Sequence, residues 1–278
     1  MINRTVTIRI VTDNNTASPG LRCEHGLSLW IEADDRVVLF DTGQGPALRE
    51  NTEFLGLDLK RVDSVVLSHG HNDHSGGLST VIEAKKERVP TFLHVQSRRE
   101  RFSRSSGKTR SIGLSEESQA ALRRLPSDDV FETEAPTCVR PGIWVTGSIP
   151  RTYASEGFDD KLFLPDNTPD TVEDDQALFI RTPSGVVVLI GCGHAGLANT
   201  LNYIKKLAPG PIRAVIGGFH LFRADHRSFW ESVEQTLRYY EVERVVPCHC
   251  TGEEATHYLV ETLGSRCHPG RAGDLFRF

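Results

Sequence analysis

Hydrophobic and polar positions alternate over residues 5–11, the two-residue period of a strand with one buried face. Short apolar runs at 27–31 and 37–40 flank the polar turn at 32–36, which predicts a hairpin. The run at 63–67 predicts a further strand. Leu78, Val81 and Ile82 fall on one face of a predicted helix over 78–88, and a short strand is predicted at 91–95. Later in the chain, strands are predicted at 143–146, 176–181, 186–190, 213–216, 244–246 and 275–278. The pair 176–181 and 186–190 reads as a hairpin across Thr182-Pro183-Ser184-Gly185, and helices are predicted at 196–207, 227–240 and 253–263. In each half strands come first and strand–helix alternation follows. That order predicts an α/β (α+β) fold, a four-layer αββα sandwich with two sheets face to face and helices outside. No low-complexity linker divides the halves, so residues 1–278 are expected to form a single domain.

One stretch breaks the pattern. Residues 97–112 have no apolar period and carry six basic residues (Arg98, Arg99, Arg101, Arg104, Lys108 and Arg110) against one acid. A basic loop is expected there, either a solvated charge run or a cover that meets an anionic substrate.

Composition narrows the class. The chain has 278 residues and is 38% hydrophobic, ample for a core. A net charge of −5 argues against general polyanion binding, so nucleic acid is not an expected partner. There is no apolar run of the ~18 residues that a membrane span needs, and residues 1–10 lack the apolar core of a signal peptide. Six cysteines in a chain this long are not a disulfide framework. Three of them, Cys192, Cys248 and Cys250, stand beside candidate ligands. A reducing compartment, the cytoplasm, is expected.

The chemistry is concentrated at 69–74, where His69, His71, Asp73 and His74 form an H-x-H-x-D-H cluster directly after the predicted strand 63–67. Two histidines two apart on an extended segment share a side, and Asp73 and His74 come where the chain turns. One loop can therefore supply half the ligands of two neighbouring metal ions. Imidazole and carboxylate suit zinc, with iron or manganese as alternatives. Three later histidines, His194, His220 and His249, also follow apolar strands, at ends where a sheet scaffold presents its chemistry. In an extended strand Cys248 and Cys250 would point away from His249, as packing residues. His94, His226, His257 and His268 have no supporting neighbours, and Asp174-Asp175 reads as a turn, with capping or bracing of the site as the alternative.

Asp41-Thr42-Gly43, the 69–74 cluster and Val245-Val246-Pro247-Cys248-His249 together resemble the metallo-β-lactamase superfamily over nearly the whole chain. His25-Gly26-Leu27-Ser28, Gly191-Cys192-Gly193-His194-Ala195-Gly196, Gly217-Gly218-Phe219-His220-Leu221 and Cys248-His249-Cys250-Thr251-Gly252 resemble one subgroup. It is typified by the archaeal 7,8-dihydropterin-6-methyl-4-(ribofuranosyl)-aminobenzene-5'-phosphate synthase. The resemblance implies two divalent metal ions held by His69, His71, Asp73, His74 and His249, with Asp41 ordering the histidine loop. After a strand such as 186–190 the superfamily places Gly-Asp, whose carboxylate bridges both metals; here Gly191-Cys192 stands there. His194 is expected to replace the missing ligand. Cys192 is either a thiolate donor or a neighbour of the ligands. Asp73 is further expected to orient the attacking water, His220 to protonate the leaving oxygen or else to serve as a further metal ligand, and His25 and Arg151 to contact a small anionic substrate. The reaction expected first is hydrolysis of a small phosphoester or related ester by metal-activated hydroxide. The alternatives are a transferase condensing a dihydropterin diphosphate with an arylamine, and a non-catalytic metal- or nucleotide-binding protein.

Overall fold

The computed structural model describes residues 5–86, 88–105, 107–153, 159–222 and 227–278. The chain opens with strands β1 (Val6–Thr12), β2 (Ser28–Ala33) and β3 (Arg36–Phe40). Helix α1 (Pro46–Phe54) leads to β4 (Val62–Val66), the single turn α2 (Asn72–Ser75), α3 (Leu78–Lys85) and β5 (Thr91–Leu93). Next come β6 (Phe102–Ser105), β7 (Lys108–Ser111), α4 (Glu116–Arg124) and β8 (Val130–Glu132). Strands β9 (Thr137–Arg140), β10 (Ile143–Val145) and β11 (Leu162–Phe163) precede the hairpin of β12 (Leu178–Thr182) and β13 (Gly185–Ile190). The chain closes through α5 (Leu197–Leu207), β14 (Ile212–Gly217), α6 (Arg227–Tyr239), β15 (Arg244–Pro247), α7 (Glu253–Leu263) and β16 (Leu275–Arg277).

Two large sheets result, of order β16-β1-β2-β3-β4-β5-β8 and β15-β14-β13-β12-β10-β9. The reason they stack is visible in β13. Val187 and Leu189 join Ile8, Ile10, Leu29 and Phe40 in the core between the sheets. Val186, Val188 and Ile190 face the other way, toward Leu201 and Ile204 of α5 and Val233 of α6. A strand covered on both faces must be apolar at every position. β4 follows the same rule: Val66 enters the inner core, whereas Val62 and Val65 pack with Leu78, Val81 and Leu122 of α3 and α4. The αββα sandwich follows from these three cores. Among the described residues no helix is long and apolar enough to cross a membrane.

Residues 97–112 depart from the expected loop. β6 and β7 form an antiparallel hairpin, Ser103 opposite Arg110, and β11 adds to it as a third strand. The polar sequence hides it because β7 is exposed along its whole length. Its root is not an apolar face but Arg101, 1% exposed. Helix α4, absent from the hydrophobic pattern, carries end signals instead: Ser115 accepts from the Ser118 N–H, with Glu116 and Glu117 in the first turn and Arg123 and Arg124 in the last. Helix α3 stops at Lys85, short of the expected 88, because Lys86 caps it in the left-handed conformation.

Candidate metal centre

β4 ends at Val66, and the chain then enters α2 with His71 as its extended N-cap. The Leu27 and Thr42 N–H groups donate to the Asp73 and His74 carbonyls and pin this turn to the ends of β2 and β3. Two sets of donor atoms converge, each within 4.8 Å internally: His69, His71 and His194; and Asp73, His74, Cys192 and His249. Cys192 also groups with His194 and His220, so its sulfur borders both sets.

The donor set fits a metal ion. His74 Nδ1 donates to Asp41 Oδ2 at 2.7 Å and His249 Nδ1 to Asn14 Oδ1 at 2.9 Å. In neutral rings both Nε2 atoms then carry lone pairs, and they face each other at 3.1 Å. Only a cation between them relieves that contact. Burial opposes charge here, yet Asp73 and Asp41 raise the His74 pKa to about 9, so the site holds a proton unless a metal takes its place. Cys192 Sγ lies 3.2 Å from His74 Nε2 and 3.3 Å from His249 Nε2. Ligands around a tetrahedral zinc sit about 3.4 Å apart, given metal–ligand bonds of about 2.0–2.3 Å. In the other set His69 Nε2 and His71 Nδ1 are 2.9 Å apart, and the buried Nε2 of His71 has no hydrogen-bond partner. Burial drives His71 down to about 3 and His69 well below its ordinary range, so both rings are neutral, the form that ligates. Burial would raise Asp73, but the charge of His74 and a hydrogen bond from His25 hold it well below the usual carboxylate range.

Supporting groups fix the candidate donors. Asp41, fully buried, accepts from the Ser68 N–H at 2.6 Å, from Ser68 Oγ at 2.7 Å and from His74. Ser68 Oγ in turn accepts from His69 Nδ1 at 2.9 Å. Asp174 accepts from the Gly70 N–H at 2.8 Å and Asp175 from the Ala195 N–H at 2.7 Å. The pair expected to be a plain turn therefore braces both histidine loops, because its side chains point inward between them. Burial raises Asp175 to about 7. A Cβ on Gly191 would lie 2.1 Å from Ser68 Oγ, so only glycine lets β13 end against this network. Asp41, His220 and His249 adopt left-handed φ of 60, 50 and 49°, strain of the kind that marks functional sites.

Of the other expected residues, His25 bonds Asp73 Oδ2 at 3.2 Å and, with His220, lines the adjoining cavity. Arg151 does not line it. Its guanidinium donates to the Val172 carbonyl at 2.7 Å, which turns it away from the opening. The expectation that Cys250 faces away from His249 as mere packing fails as well. His249–Thr251 is a 3-10 turn, not a strand, so Cys250 swings onto the cavity wall with its Sγ 3.5 Å from the Cys192 carbonyl. Cys248 does pack in the inner core. His94 is buried against Ser148, His257 is exposed beside Glu261, His268 is exposed, and His226 lies outside the described residues. Sequence reasoning missed Asp13 and Asn14, which hold His249 through its backbone N–H and its ring. Their signal, polar residues at the end of a buried strand, was the same one that exposed the histidines.

The profile of the metallo-β-lactamase superfamily matches residues 21–138. Uncharacterized protein MJ0448 of Methanocaldococcus jannaschii is 32% identical over 253 residues, 89% of this chain and 91% of that one. The chain belongs to the metallo-β-lactamase superfamily. A second protein of that organism, 7,8-dihydropterin-6-methyl-4-(beta-D-ribofuranosyl)-aminobenzene-5'-phosphate synthase, is 28% identical over 268 residues, 92% of this chain and 90% of that one. The solved structure of Tm1679, described as a metal-dependent hydrolase of the beta-lactamase superfamily, superposes with a TM-score of 0.83 at 28% identity and 98% coverage of each chain. In this metallo-β-lactamase chain Asp41 makes no contact with the cavity, yet it anchors two of the histidine rings. Asp41→Asn is expected to weaken metal retention roughly 10- to 100-fold, as loss of such supporting contacts does. Titration with a competing chelator reads this directly, and unchanged affinity would show that the histidines are held by packing alone.

Proposed function

We propose that this chain is a metal-dependent hydrolase acting on a small phosphoester or related ester with two divalent ions. Zinc suits the mixed nitrogen, sulfur and oxygen donors best, with iron or manganese as alternatives. The observation that carries the reading is the pair of donor sets meeting at Cys192 on the wall of a cavity of about 570 Å³. His69, His71 and His194 would hold one ion. Asp73, His74 and His249 would hold the other, with the Cys192 thiolate between them in place of a carboxylate. Such an ion pair, when bound, activates water and polarises the scissile bond.

The chain's own groups do the rest. Asp73 borders the cavity with an oxygen fixed by His25, where it can orient the nucleophile. His220 faces the same space with Asp159 at 3.7 Å, poised to hand a proton to the leaving oxygen. A second reading, a transferase that joins a dihydropterin diphosphate to an arylamine, is favoured by the 28% identical synthase. Diphosphate release that depends on added arylamine would select it.

The test is metal content together with Co(II) replacement, alongside turnover of bis-p-nitrophenyl phosphate and p-nitrophenyl esters. Two equivalents of metal, ester turnover and a sulfur-to-Co(II) charge-transfer band that disappears in Cys192→Ser are expected. A protein without metal, or a Co(II) spectrum identical in Cys192→Ser, would refute the centre as drawn.

A further inference from the structure

Asn14 lies just beyond β1, and its amide touches two histidines at once. Oδ1 stands 2.9 Å from His249 Nδ1, and Nδ2 stands 3.2 Å from His25 Nδ1. The backbone settles which end of the amide is which. The Gly26 N–H can only donate, and it lies 3.2 Å from Oδ1. The His249 carbonyl can only accept, and it lies 3.4 Å from Nδ2. Both demands agree, so turning the amide over would forfeit two bonds.

The proton positions in the two neutral rings follow. Oδ1 accepts, so His249 carries its proton on Nδ1 and turns the Nε2 lone pair toward His74 and Asp73. Nδ2 donates, so His25 Nδ1 holds a lone pair and the His25 proton sits on Nε2, 3.2 Å from Asp73 Oδ2. The two tautomers are opposite, and each is the one its neighbour requires. With its proton on Nδ1 instead, His25 would aim a lone pair at the Asp73 carboxylate and repel it. Packing cannot do this work for His25, whose side chain is 63% exposed. Hydrogen bonds at both ring nitrogens hold it, beside the His249 ring at 5.0 Å between centroids. The frame around Asn14 is close-fitting. Asp13 accepts from the His249 N–H at 2.7 Å and from the Asn15 N–H at 2.9 Å. A Cβ on Gly26 would lie 2.6 Å from the Asp73 carbonyl, so the turn that carries His25 sits directly on the histidine loop.

We infer that Asn14 is a positioning residue that sets opposite tautomers in His249 and His25, and so aims a metal donor and the Asp73 carboxylate at one point. A single amide can do this because it alone among small side chains presents an acceptor and a donor side by side. The inference deepens the proposed hydrolase reading and rests on it only for the use to which Asp73 is put.

The test compares Asn14→Asp and Asn14→Ala with the wild type, as zinc-loaded protein labelled with 15N in histidine. Two-bond 1H–15N spectra read which nitrogen of each ring is protonated, and titration with a competing chelator reads zinc affinity. The wild type is expected to show His249 protonated on Nδ1 and His25 on Nε2. In the isosteric Asn14→Asp the carboxylate still accepts from His249 but has nothing to donate to His25. A proton should therefore appear on His25 Nδ1, while His249 keeps its tautomer and zinc affinity does not fall. Asn14→Ala should free both rings and cost roughly tenfold or more in zinc affinity. A wild type with His25 protonated on Nδ1, or Asn14→Asp with His25 Nδ1 still bare, overturns the proposal. So does Asn14→Ala with wild-type spectra and affinity, because the rings would then be set by other contacts. Ester turnover of the same samples judges the hydrolase reading separately: the expected spectra without any turnover would sink that reading and leave the role of Asn14 standing.

Discussion

Replacing Asp73 with alanine is expected to remove at least one metal equivalent and nearly all turnover while the protein stays folded. The Asp73 carboxylate stands 3.5 Å from His249 Nε2 and 3.7 Å from His74 Nε2, and it is the one acid in that donor set. Without it that donor set has no carboxylate, and its Cys192 thiol is pushed well above its ordinary range by burial, so little negative charge is left to draw a divalent ion to the His74 side. The loss should exceed the roughly 100-fold that removing a mere supporting partner costs. Folding should survive because the residue's structural contribution is its carbonyl, which accepts from the Leu27 N–H and is untouched by the change. Metal analysis, ester turnover and a thermal melt on one sample decide the matter. Full metal content in Asp73→Ala would remove Asp73 from the ligand set.

Arg101→Met is expected to give the largest loss of stability of any single change in the basic segment. The guanidinium is 1% exposed and donates to Asp170 at 2.6 Å and to Asp174 at 2.5 Å, both carboxylates being buried. Methionine fills much of the volume but leaves two buried anions without a cation. Breaking a buried pair in this way costs about 3–5 kcal/mol, a fall in Tm of roughly 10 °C for a domain of this size. A second effect follows from geometry. Asp174 also holds the Gly70 N–H between His69 and His71, so metal affinity should drop along with stability. Differential scanning calorimetry with and without added Zn(II) measures both. A Tm within about 2 °C of the wild type would show that water replaces the guanidinium and that the pair is not structural. Exposed Arg99, by contrast, should be neutral on replacement.

Both residues illustrate what can be read from a linear chain. The candidate role of Asp73 was legible because its partners His69, His71 and His74 are local, and their spacing alone puts several metal-competent side chains on one turn after a buried strand. The sandwich was legible for a related reason. The strand over 186–190 is apolar at every position, and that composition has only one use, to be covered on both faces. The helices at 196–207 and 253–263 and the hairpin across 182–185 were fixed by local period and turn chemistry, and the structure places them within a residue or two.

Arg101 was not legible. In sequence it is one of six bases in a polar run; in space it is the buried root of a hairpin, and its partners lie 69 and 73 positions away. The same is true of Asn14, 235 positions from His249, and of Cys250, whose direction depends on a single 3-10 turn that no alternation rule anticipates. Local periodicity and short-range ligand spacing determined the layers and the histidine loop, because those interactions close within a few residues. The tertiary structure alone decided the orientation of each ring, the burial of Arg101 and the turn that puts Cys250 on the cavity wall. Those depend on hydrogen bonds and charges between segments that only the closed sandwich brings into range.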